Sequence, residues 1–259
     1  MTFHSRKRFG QHFLHDRNVI GRIVAALAPR PDDHVVEIGP GKGALTRELA
    51  THLAHFDAVE LDRDLLAHLP SVIPPDKLTL HGADALEYDF CQLVQKDRKL
   101  RLVGNLPYNI STPLLFHLLD QASCIQDMLF MLQKEVVQRL AASPGGKDYG
   151  RLSVMIQYRC RVEKLFDVAP GAFTPPPKVD SAMVRLVPLA TPPVAIDDDA
   201  QFARVVRAAF ASRRKTLRNN MKGLLSAEQL LALGIDPVRR AETLTLAEFA
   251  TLSNAVESP

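Results

Sequence analysis

Cysteine is scarce in this chain of 259 residues. Cys91, Cys124 and Cys160 are the only three, they are widely spaced, and no two of them form a C-x-x-C pair. An odd, scattered set of thiols indicates neither a disulfide framework nor a zinc site. We therefore expect no disulfide and no bound metal, and the composition suits a reducing cytoplasm.

Long apolar runs and internal repeats are also missing from the sequence. No stretch approaches the roughly 20 apolar residues that a membrane-spanning helix needs. The basic residues Arg6, Lys7 and Arg8 lead into Phe9-Gly10-Gln11 rather than into the apolar core of a signal peptide. No sustained heptad suggests self-association. We expect no membrane association, and we predict a monomer.

The most informative motif is Asn105-Leu106-Pro107-Tyr108, which follows the apolar run at 100–104. An amide oxygen, a proline and an aromatic face suit a flat base with an amino group, and adenine is the natural candidate. If the Asn105 side-chain oxygen and the Pro107 carbonyl each accept one amino hydrogen, the nitrogen lone pair points at an electrophile. Tyr108 would stack on the ring. The same four residues could also form a simple turn.

A glycine-rich turn follows the β-branched run at 34–38. Gly39, Gly41 and Ala44 fit the G-x-G-x-x-G/A fingerprint of dinucleotide sites, and Glu60 lies 21 residues after Gly39, where a ribose ligand is expected. We expect a strand, a tight turn and a helix N-terminus at which the backbone approaches a ligand closely. By itself this pattern is weak evidence for any one cofactor.

Two acidic residues favour S-adenosylmethionine over a nicotinamide dinucleotide. Glu37, two residues before Gly39, suits the cationic methionine end of S-adenosylmethionine and would repel a pyrophosphate. Asp84 follows the third predicted strand, where its carboxylate could accept a hydrogen bond from the adenine of the cofactor. Each acid alone could equally be a cap or a surface charge. Their placement after successive strands favours a site.

The alternation of strand and helix patterns predicts an α/β fold with a mostly parallel sheet. Because ligands of open α/β sheets bind beyond the carboxyl ends of the strands, one crevice can hold Gly39, Glu60, Asp84 and Asn105. Later strand candidates are 127–132, 152–158 and 182–187, and helices are predicted near 45–53, 63–69 and 113–119.

Eight segments, spread over nearly the whole chain, resemble the bacterial small-subunit (16S) rRNA adenine N6,N6-dimethyltransferases. The segments are 8–14, 37–46, 59–62, 105–112, 132–136, 149–153, 173–184 and 213–218. The resemblance implies a Rossmann-like class I methyltransferase domain with a seven-stranded sheet and S-adenosylmethionine as donor. It also implies dimethylation of two adjacent adenosines in the 3′-terminal hairpin of the rRNA, late in 30S biogenesis.

The motifs and the resemblance together give the expected site. The predicted cofactor contacts are His12, Leu14, Glu37, Gly39, Gly41, Glu60, Asp84 and Asn105. The predicted catalytic residues are Asn105, Pro107, Tyr108 and Phe173. By resemblance, Phe173 closes over the target base opposite Tyr108, and the prolines at 175–177 stiffen its approach. A proline-rich segment can also be a plain connector.

Basic residues are concentrated in two regions, although the net charge is only +3. Residues 201–222 contain seven Lys and Arg residues and no acid, and residues 1–22 contain five basic residues and one acid. Such asymmetry is typical of proteins that bind a polyanion. The predicted RNA-binding residues are Arg6, Lys7, Arg8, Arg207, Arg213, Arg214, Lys215 and Arg218. Their expected partner is 16S rRNA in the small ribosomal subunit; a merely solvated basic helix is the alternative.

The predicted domain boundary lies near 188–199, where prolines and three aspartates interrupt the pattern. We predict a methyltransferase domain over 1–190, with a basic segment at 1–15 that is a candidate for flexibility. A small all-helical RNA-docking domain is predicted over 197–259, with helices near 201–225, 227–233 and 246–256.

Three other functions are compatible with parts of the sequence. A large-subunit rRNA adenine methyltransferase of the antibiotic-resistance type has a similar cofactor loop, but the matches at 173–184 and 213–218 favour the small-subunit enzymes. A mainly non-catalytic ribosome-assembly factor stays open. A nicotinamide oxidoreductase explains neither the motif at 105–108 nor the basic tail.

Overall fold

The computed structural model describes residues 12–95 and 98–256. These residues pack into two compact units. The first unit contains the described residues through Val137 together with Glu163–Pro188, and the second contains Gln138–Val162 together with the described residues from Leu189 onward. The second unit thus includes Gln138–Val162, which precedes the domain boundary predicted near 188–199. The domain limits 1–190 and 197–259 stay a prediction.

The first unit is built on a seven-stranded sheet. The strands of the described residues are β1 (Phe13–Leu14), β2 (Val35–Ile38), β3 (Phe56–Glu60), β4 (Leu78–Gly82), β5 (Leu100–Asn105), β6 (Ile125–Gln133), β7 (Cys160–Val168), β8 (Phe173–Thr174) and β9 (Ser181–Pro188). Seven of them form the sheet in the order β4-β3-β2-β5-β6-β9-β7, and β1 pairs with β8 as a separate two-stranded sheet.

Strands β2 to β6 are parallel, and β9 joins antiparallel to β6. Every residue of β2 and β3 is buried, as expected of parallel strands covered on both faces. Val36 of β2 lies opposite both Asp57 and Leu102, so β2 separates β3 from β5 and the strand order reverses there. Ligands of such sheets bind beside this reversal. The predicted Rossmann-like, mostly parallel fold is confirmed.

Helices of the first unit bury apolar residues against the sheet. They are α1 (Arg17–Leu27), α2 (Ala44–His52), α3 (Arg63–His68), α4 (Ser111–Asp120) and the start of α5 (Lys134–Leu140). Ile23 and Leu27 of α1 and Leu49 of α2 lie in one core with Phe56. Asp16 caps the start of α1, because its side chain accepts hydrogen bonds from the N–H groups of Asn18 and Val19. The packed helices fix the turns at the strand ends.

The second unit is mainly helical. Its helices are α6 (Arg151–Arg159), α7 (Asp199–Ala209), α8 (Leu217–Asn220), α9 (Ala227–Ala232) and α10 (Leu246–Ala255). Phe202, Leu217 and Phe249 are buried in one apolar cluster. Helices α9 and α10 begin with capping boxes at Ser226 and Thr245. The predicted helical C-terminal part is confirmed.

The strand predicted at 152–158 is wrong, because this segment lies in α6. Its apolar residues alternate, which suggested a strand, but Val154 and Tyr158 are one helical turn apart and share a core. Ser153 fixes the helix start, since its Oγ accepts from the Gly150 N–H at 3.1 Å and donates to the Arg139 carbonyl at 2.5 Å. The strand that completes the seven-stranded sheet is instead β7, whose charged residues obscured the apolar pattern of a strand.

The single helix predicted over 201–225 is also wrong, because α7 ends at Ala209 and α8 begins at Leu217. The Asn220 side-chain amide donates to the carbonyls of Ala209 at 2.6 Å and Ser212 at 2.9 Å. Carbonyls at a helix end need such partners, and Asn220 supplies them where the helix stops. The basic residues of this region therefore do not form one continuous helical face.

The expectation of no disulfide is contradicted as well, because Cys91 and Cys124 form one across 33 residues. The Gln121 side-chain oxygen accepts from the N–H groups of Phe90, at 2.6 Å, and Cys91, at 3.3 Å, and so joins the two turns that carry these cysteines. Cysteine spacing gave no signal because the two turns belong to different strand connections. Cys160 is free, and burial raises its pKa to about 12.

Candidate active site

A cavity opens at the carboxyl ends of β2 to β5 in the first unit. Its lining comes from 12–14, the turn after β2, the ends of β3 and β4, and the segment 105–110. All eight residues predicted to contact the cofactor line it, as do Pro107 and Tyr108. Parallel strands therefore bring together residues that are distant in the sequence.

The turn between β2 and α2 is shaped by glycines with positive φ. Gly39 and Gly41 have φ values of 69° and 58°, in the left-handed region that favours glycine. A Cβ atom on Gly41 would lie 3.2 Å from the Phe13 ring, so even alanine would crowd it. A Cβ on Gly39 would have open space around it. The turn thus presents backbone, rather than side chains, to the cavity.

Glu60, at the end of β3, is buried and held by backbone amides. Its Oε1 accepts from the N–H groups of Leu61 and Asp62, both at 2.9 Å, and its Oε2 accepts from the Gly41 N–H at 3.3 Å. Burial raises the pKa of Glu60, and these hydrogen bonds oppose the increase. A carboxylate has about four acceptor positions, so capacity remains for a ligand hydroxyl.

Glu37, within β2, is only 2% exposed. Its Oε2 has no hydrogen-bond partner among the described residues. Burial raises the pKa of Glu37 to about 8, with an opposing effect of Thr46 and a further increase from Glu60. An unpaired buried carboxyl group is unfavourable until a ligand satisfies it. A cationic group in the cavity would supply that partner and favour the ionised form.

Asp84 lies in the turn after β4 and is half-buried. Its Oδ1 accepts from the Leu86 N–H at 2.9 Å, which fixes the carboxylate on the turn. Within the described part of the chain, no hydrogen bond to Oδ2 is found. Oδ2 can therefore accept from a ligand amino group in the cavity.

The side-chain amide of Asn105, at the end of β5, has a fixed orientation. Its Nδ2 donates to the His12 carbonyl at 2.8 Å, which leaves Oδ1 to accept from a ligand. His12 is itself held, because its Nδ1 lies 2.7 Å from the Pro175 carbonyl. Next to it, β1 pairs with β8, with Leu14 opposite Phe173. The orientation of Asn105 therefore depends on residues at both ends of the first unit's sequence.

Tyr108 is anchored through its hydroxyl, which lies 2.6 Å from Ser181 Oγ. Its ring centroid lies 5.6 Å from that of His12. Burial raises the pKa of Tyr108, against an opposing effect of Ser181, so the phenol is protonated at neutral pH. Sequence reasoning missed Ser181, which lies 73 residues away and has no motif of its own in our reading.

The Pro107 carbonyl, the second predicted acceptor for the base, already accepts from the Ile110 N–H at 3.2 Å. A carbonyl oxygen can accept a second hydrogen bond, so the prediction stays open. Leu106 was not singled out from the sequence, but it lines the same cavity. No hydrogen bond to its carbonyl is found in the described residues. Leu106 is therefore a further candidate acceptor.

Phe173 does not line the cavity. It is 2% exposed and lies in the core of the first unit, with Leu14 and Met183. The pairing of β8 with β1 sets Phe173 opposite the buried Leu14, which accounts for its inward position. The structure thus does not place Phe173 opposite Tyr108 as we expected. A contact with the target base would need a rearrangement and stays a prediction.

The predicted RNA-binding residues of the second unit are all exposed. They are Arg207, Arg213, Arg214, Lys215 and Arg218, on α7, the following turn and α8. Arg213 donates a hydrogen bond to the Lys147 carbonyl. The remaining three, Arg6, Lys7 and Arg8, lie outside the described residues.

Residues 12–95 and 98–256 contain neither a metal-binding cluster nor a membrane-spanning helix. No group of three or more His, Cys, Asp or Glu residues in these ranges could hold a metal ion. None of the helices described there is long and apolar enough to cross a membrane.

The seven-stranded fold, with its cavity at the strand ends, defines a Rossmann-like methyltransferase. A dimethyladenosine transferase from Plasmodium falciparum has this fold, with a TM-score of 0.75, 24% identity and coverage of 93% of this chain and 96% of that one. The 23S rRNA methyltransferase ErmE is similar, with a TM-score of 0.72, 26% identity and coverage of 94% and 99%.

The chain belongs to the ribosomal RNA adenine dimethylase family, whose sequence pattern matches residues 2–258. The ribosomal RNA small subunit methyltransferase A of Pseudomonas aeruginosa is 58% identical over 251 residues, which cover 96% of this chain and 94% of that protein. Its namesake from Alcanivorax borkumensis is 54% identical over 255 residues, covering 98% and 91%. The predicted family is thus confirmed, and its members use S-adenosylmethionine as methyl donor.

Proposed function

We propose that this protein dimethylates N6 of two adjacent adenosines in the 3′-terminal hairpin of small-subunit (16S) rRNA, late in 30S biogenesis. The observation that carries the proposal is the amide of Asn105, whose free oxygen shares one cavity with Glu37, Glu60 and Asp84. The relatives at 54% and 58% identity, which are named as small-subunit rRNA methyltransferases, support the choice of substrate.

The cavity fits S-adenosylmethionine, which when bound supplies a methyl group on a positively charged sulfur. Glu37, with its unpartnered Oε2, would pair with the amino group of the methionine end. Glu60 would accept from the ribose hydroxyls, and Asp84 Oδ2 from the adenine amino group. The open space beside Gly39 would let the methionine end pass the turn.

Asn105 and its neighbours would activate the target base by geometry. The exocyclic nitrogen of adenine is a poor nucleophile because its lone pair is delocalised into the ring. Asn105 Oδ1 would accept one amino hydrogen and a carbonyl of the 106–107 turn the other, which draws the nitrogen towards a tetrahedral shape. Tyr108 would stack on the base. As the nitrogen–carbon bond forms and the carbon–sulfur bond of the donor breaks, the bonding electrons would stay on the sulfur, and the nitrogen would become cationic and release one proton to water.

The second methyl transfer has a different requirement. The nitrogen then carries one methyl group and one hydrogen, so it can donate to only one of the two acceptors. The other acceptor must tolerate the first methyl group beside it. We expect the Asn105 contact to matter for both transfers.

The exposed basic residues of the second unit support RNA as the partner, because Lys and Arg side chains hold phosphates and so position a substrate. An enzyme of rRNA would work in the cytoplasm, where ribosomes are assembled. All the side chains of the proposed chemistry come from one chain and line one cavity. A monomer would therefore suffice.

The proposal is tested by incubating the full-length protein with labelled S-adenosylmethionine and purified, undermethylated small subunits, and identifying the labelled nucleosides by mass spectrometry. We expect N6,N6-dimethyladenosine at two neighbouring positions, and Asn105→Ala is the matched inactive control. Label in large-subunit rRNA alone would assign the antibiotic-resistance type of enzyme. No label in either rRNA would contradict the proposal and favour an assembly factor.

A further inference from the structure

We propose that Ser181 is a positioning residue that holds the Tyr108 ring in place for the target base, an inference that rests on the proposed function. Ser181 is 0% exposed and does not line the cavity. Its Oγ lies 2.6 Å from the Tyr108 hydroxyl. Ser181 therefore acts on the base only through Tyr108.

Ser181 is held in place by the sheet and by an ion-pair cluster. It is the first residue of β9 and lies opposite Gln133, the last residue of β6. The carbonyl of the preceding residue, Asp180, accepts from the Lys134 N–H at 2.9 Å. The Lys134 ammonium group in turn lies 2.9 Å from Asp167 and 3.6 Å from Asp180. The Ser181 hydroxyl is thus a fixed point.

The other contacts of Tyr108 do not fix its ring. Its carbonyl accepts from Ser111 Oγ at 3.0 Å, which holds the backbone of the turn. The ring of His12 approaches at 5.6 Å between centroids and is tilted by 31°, so it limits the ring from one direction only. The hydroxyl end of the ring, which rotation about the Cα–Cβ bond displaces most, is held by Ser181.

The phenol is protonated, so one hydroxyl donates and the other accepts. Replacing Ser181 by alanine would leave the Tyr108 hydroxyl without this partner in a half-buried position. Such a hydroxyl turns towards another partner or water, because an unsatisfied buried polar group is unfavourable. A turned ring no longer lies flat against the base, and the amino nitrogen is no longer aligned for transfer.

The test compares Ser181→Ala, Tyr108→Phe and the double variant on undermethylated small subunits. We expect Ser181→Ala to lower kcat about tenfold, as the loss of one hydrogen bond can do, with an unchanged Kd for S-adenosylmethionine. Tyr108→Phe should lower kcat by a similar factor. The double variant should lose nothing further, because Ser181 has no hydroxyl to hold once Tyr108 lacks its own.

Ser153→Ala is the matched control, because Ser153 is also 0% exposed and hydrogen-bonded but lies in the second unit. It should destabilise the protein without changing kcat. The inference is overturned if Ser181→Ala keeps the wild-type kcat, or if it causes the same loss in the Tyr108→Phe background. A wild-type protein that methylates neither rRNA overturns the proposed function and this inference with it. An active wild type with an unaffected Ser181→Ala overturns the inference alone.

Discussion

The part of the cavity proposed to hold the cofactor (the cofactor end) and the part proposed to hold the target base (the base end) are held in different ways. At the cofactor end, Glu60 is fixed by N–H groups that are 1, 2 and 19 residues away in the sequence. At the base end, Asn105 is oriented by a residue 93 positions away and Tyr108 by one 73 positions away. The geometry of the cofactor end thus depends on strands β2 and β3 and on the turns that follow them. The base end exists only when β1, β8 and β9 have assembled around it.

The largest effect is expected at the base end, from Asn105→Ala. Loss of the acceptor should lower kcat by about 100- to 1000-fold for both methyl transfers, since an acceptor aimed at the reacting nitrogen acts mainly in the transition state. Single-turnover kinetics with saturating S-adenosylmethionine would measure it. Asn105→Asp is the informative control, because it keeps an oxygen but places a carboxylate against the His12 carbonyl. A near wild-type rate in Asn105→Ala would show that Asn105 takes no part in methyl transfer.

At the cofactor end, Glu37→Gln should stabilise the empty protein but weaken its binding of S-adenosylmethionine. The pKa of Glu37 rises from its ordinary 4.5 to about 8 on folding, so its contribution to stability is complete below pH 4.5 and is lost as the pH rises towards 8. Near pH 7.5 the empty Glu37→Gln variant should therefore be more stable than the wild type by about 1–3 kcal/mol. Thermal unfolding at pH 5 and pH 8 would measure this difference.

The same variant should bind S-adenosylmethionine more weakly, because the amide cannot become a carboxylate for the ammonium group. In the wild type, the Kd should fall as the pH rises from 6 towards 8, and in the variant it should be flat over that range. Calorimetric titrations would show both trends, with the exposed Glu87→Gln as control. Equal pH slopes in the two proteins would exclude Glu37 as the partner of the cofactor amine.

A smaller effect, restricted to RNA binding, is expected from replacing Arg213, Arg214 and Lys215 with alanine. Each lost phosphate contact should make the plot of log affinity against log salt shallower by roughly 0.7–0.9. Affinity for S-adenosylmethionine should not change. Replacing the exposed Arg30, Arg63 and Lys99 of the first unit, which also removes three positive charges, is the control for net charge. An identical loss of salt dependence in that control would assign the effect to net charge.

The smallest effect on catalysis is expected from Phe173→Leu. Because Phe173 is buried in the core, the smaller side chain should lower the free energy of unfolding by about 1–2 kcal/mol and leave kcat and KM nearly unchanged. Chemical denaturation and steady-state kinetics would measure the two. A large increase in KM for the subunits, with normal stability, would instead support the predicted contact between Phe173 and the base.

The same contrast explains what the sequence could predict. Glu37 and Glu60 lie in the buried strands β2 and β3, and Gly39 and Asp84 follow strands β2 and β4. A local pattern therefore located them, and the rule of parallel sheets placed them together. The helix at 152–158 was misread because its apolar residues alternate, and only the packing of Val154 and Tyr158 in the second core distinguishes it from a strand. Short apolar segments carry too little periodicity to decide such cases.

The base end was predicted only as a list of residues. Nothing local in the sequence indicates that the His12 carbonyl faces Asn105 or that Ser181 faces Tyr108, because both contacts arise from the pairing of distant strands. Phe173 is a further residue whose position depends on the pairing of distant strands. The resemblance predicted that Phe173 closes over the target base, whereas the register of β8 against β1 turns the ring into the core.

If Asn105 binds the target base as proposed, the hydrogen bond from its Nδ2 to the His12 carbonyl would also help to select the base. Because Nδ2 is held at the His12 carbonyl, the amide would turn its acceptor Oδ1 towards the incoming base. A base that presents a keto oxygen at this point, as guanine and uracil do, would face it with a second acceptor and be repelled. An amino group finds a partner. The main-chain carbonyl of His12 would thereby disfavour guanine and uracil at this point without contacting either base.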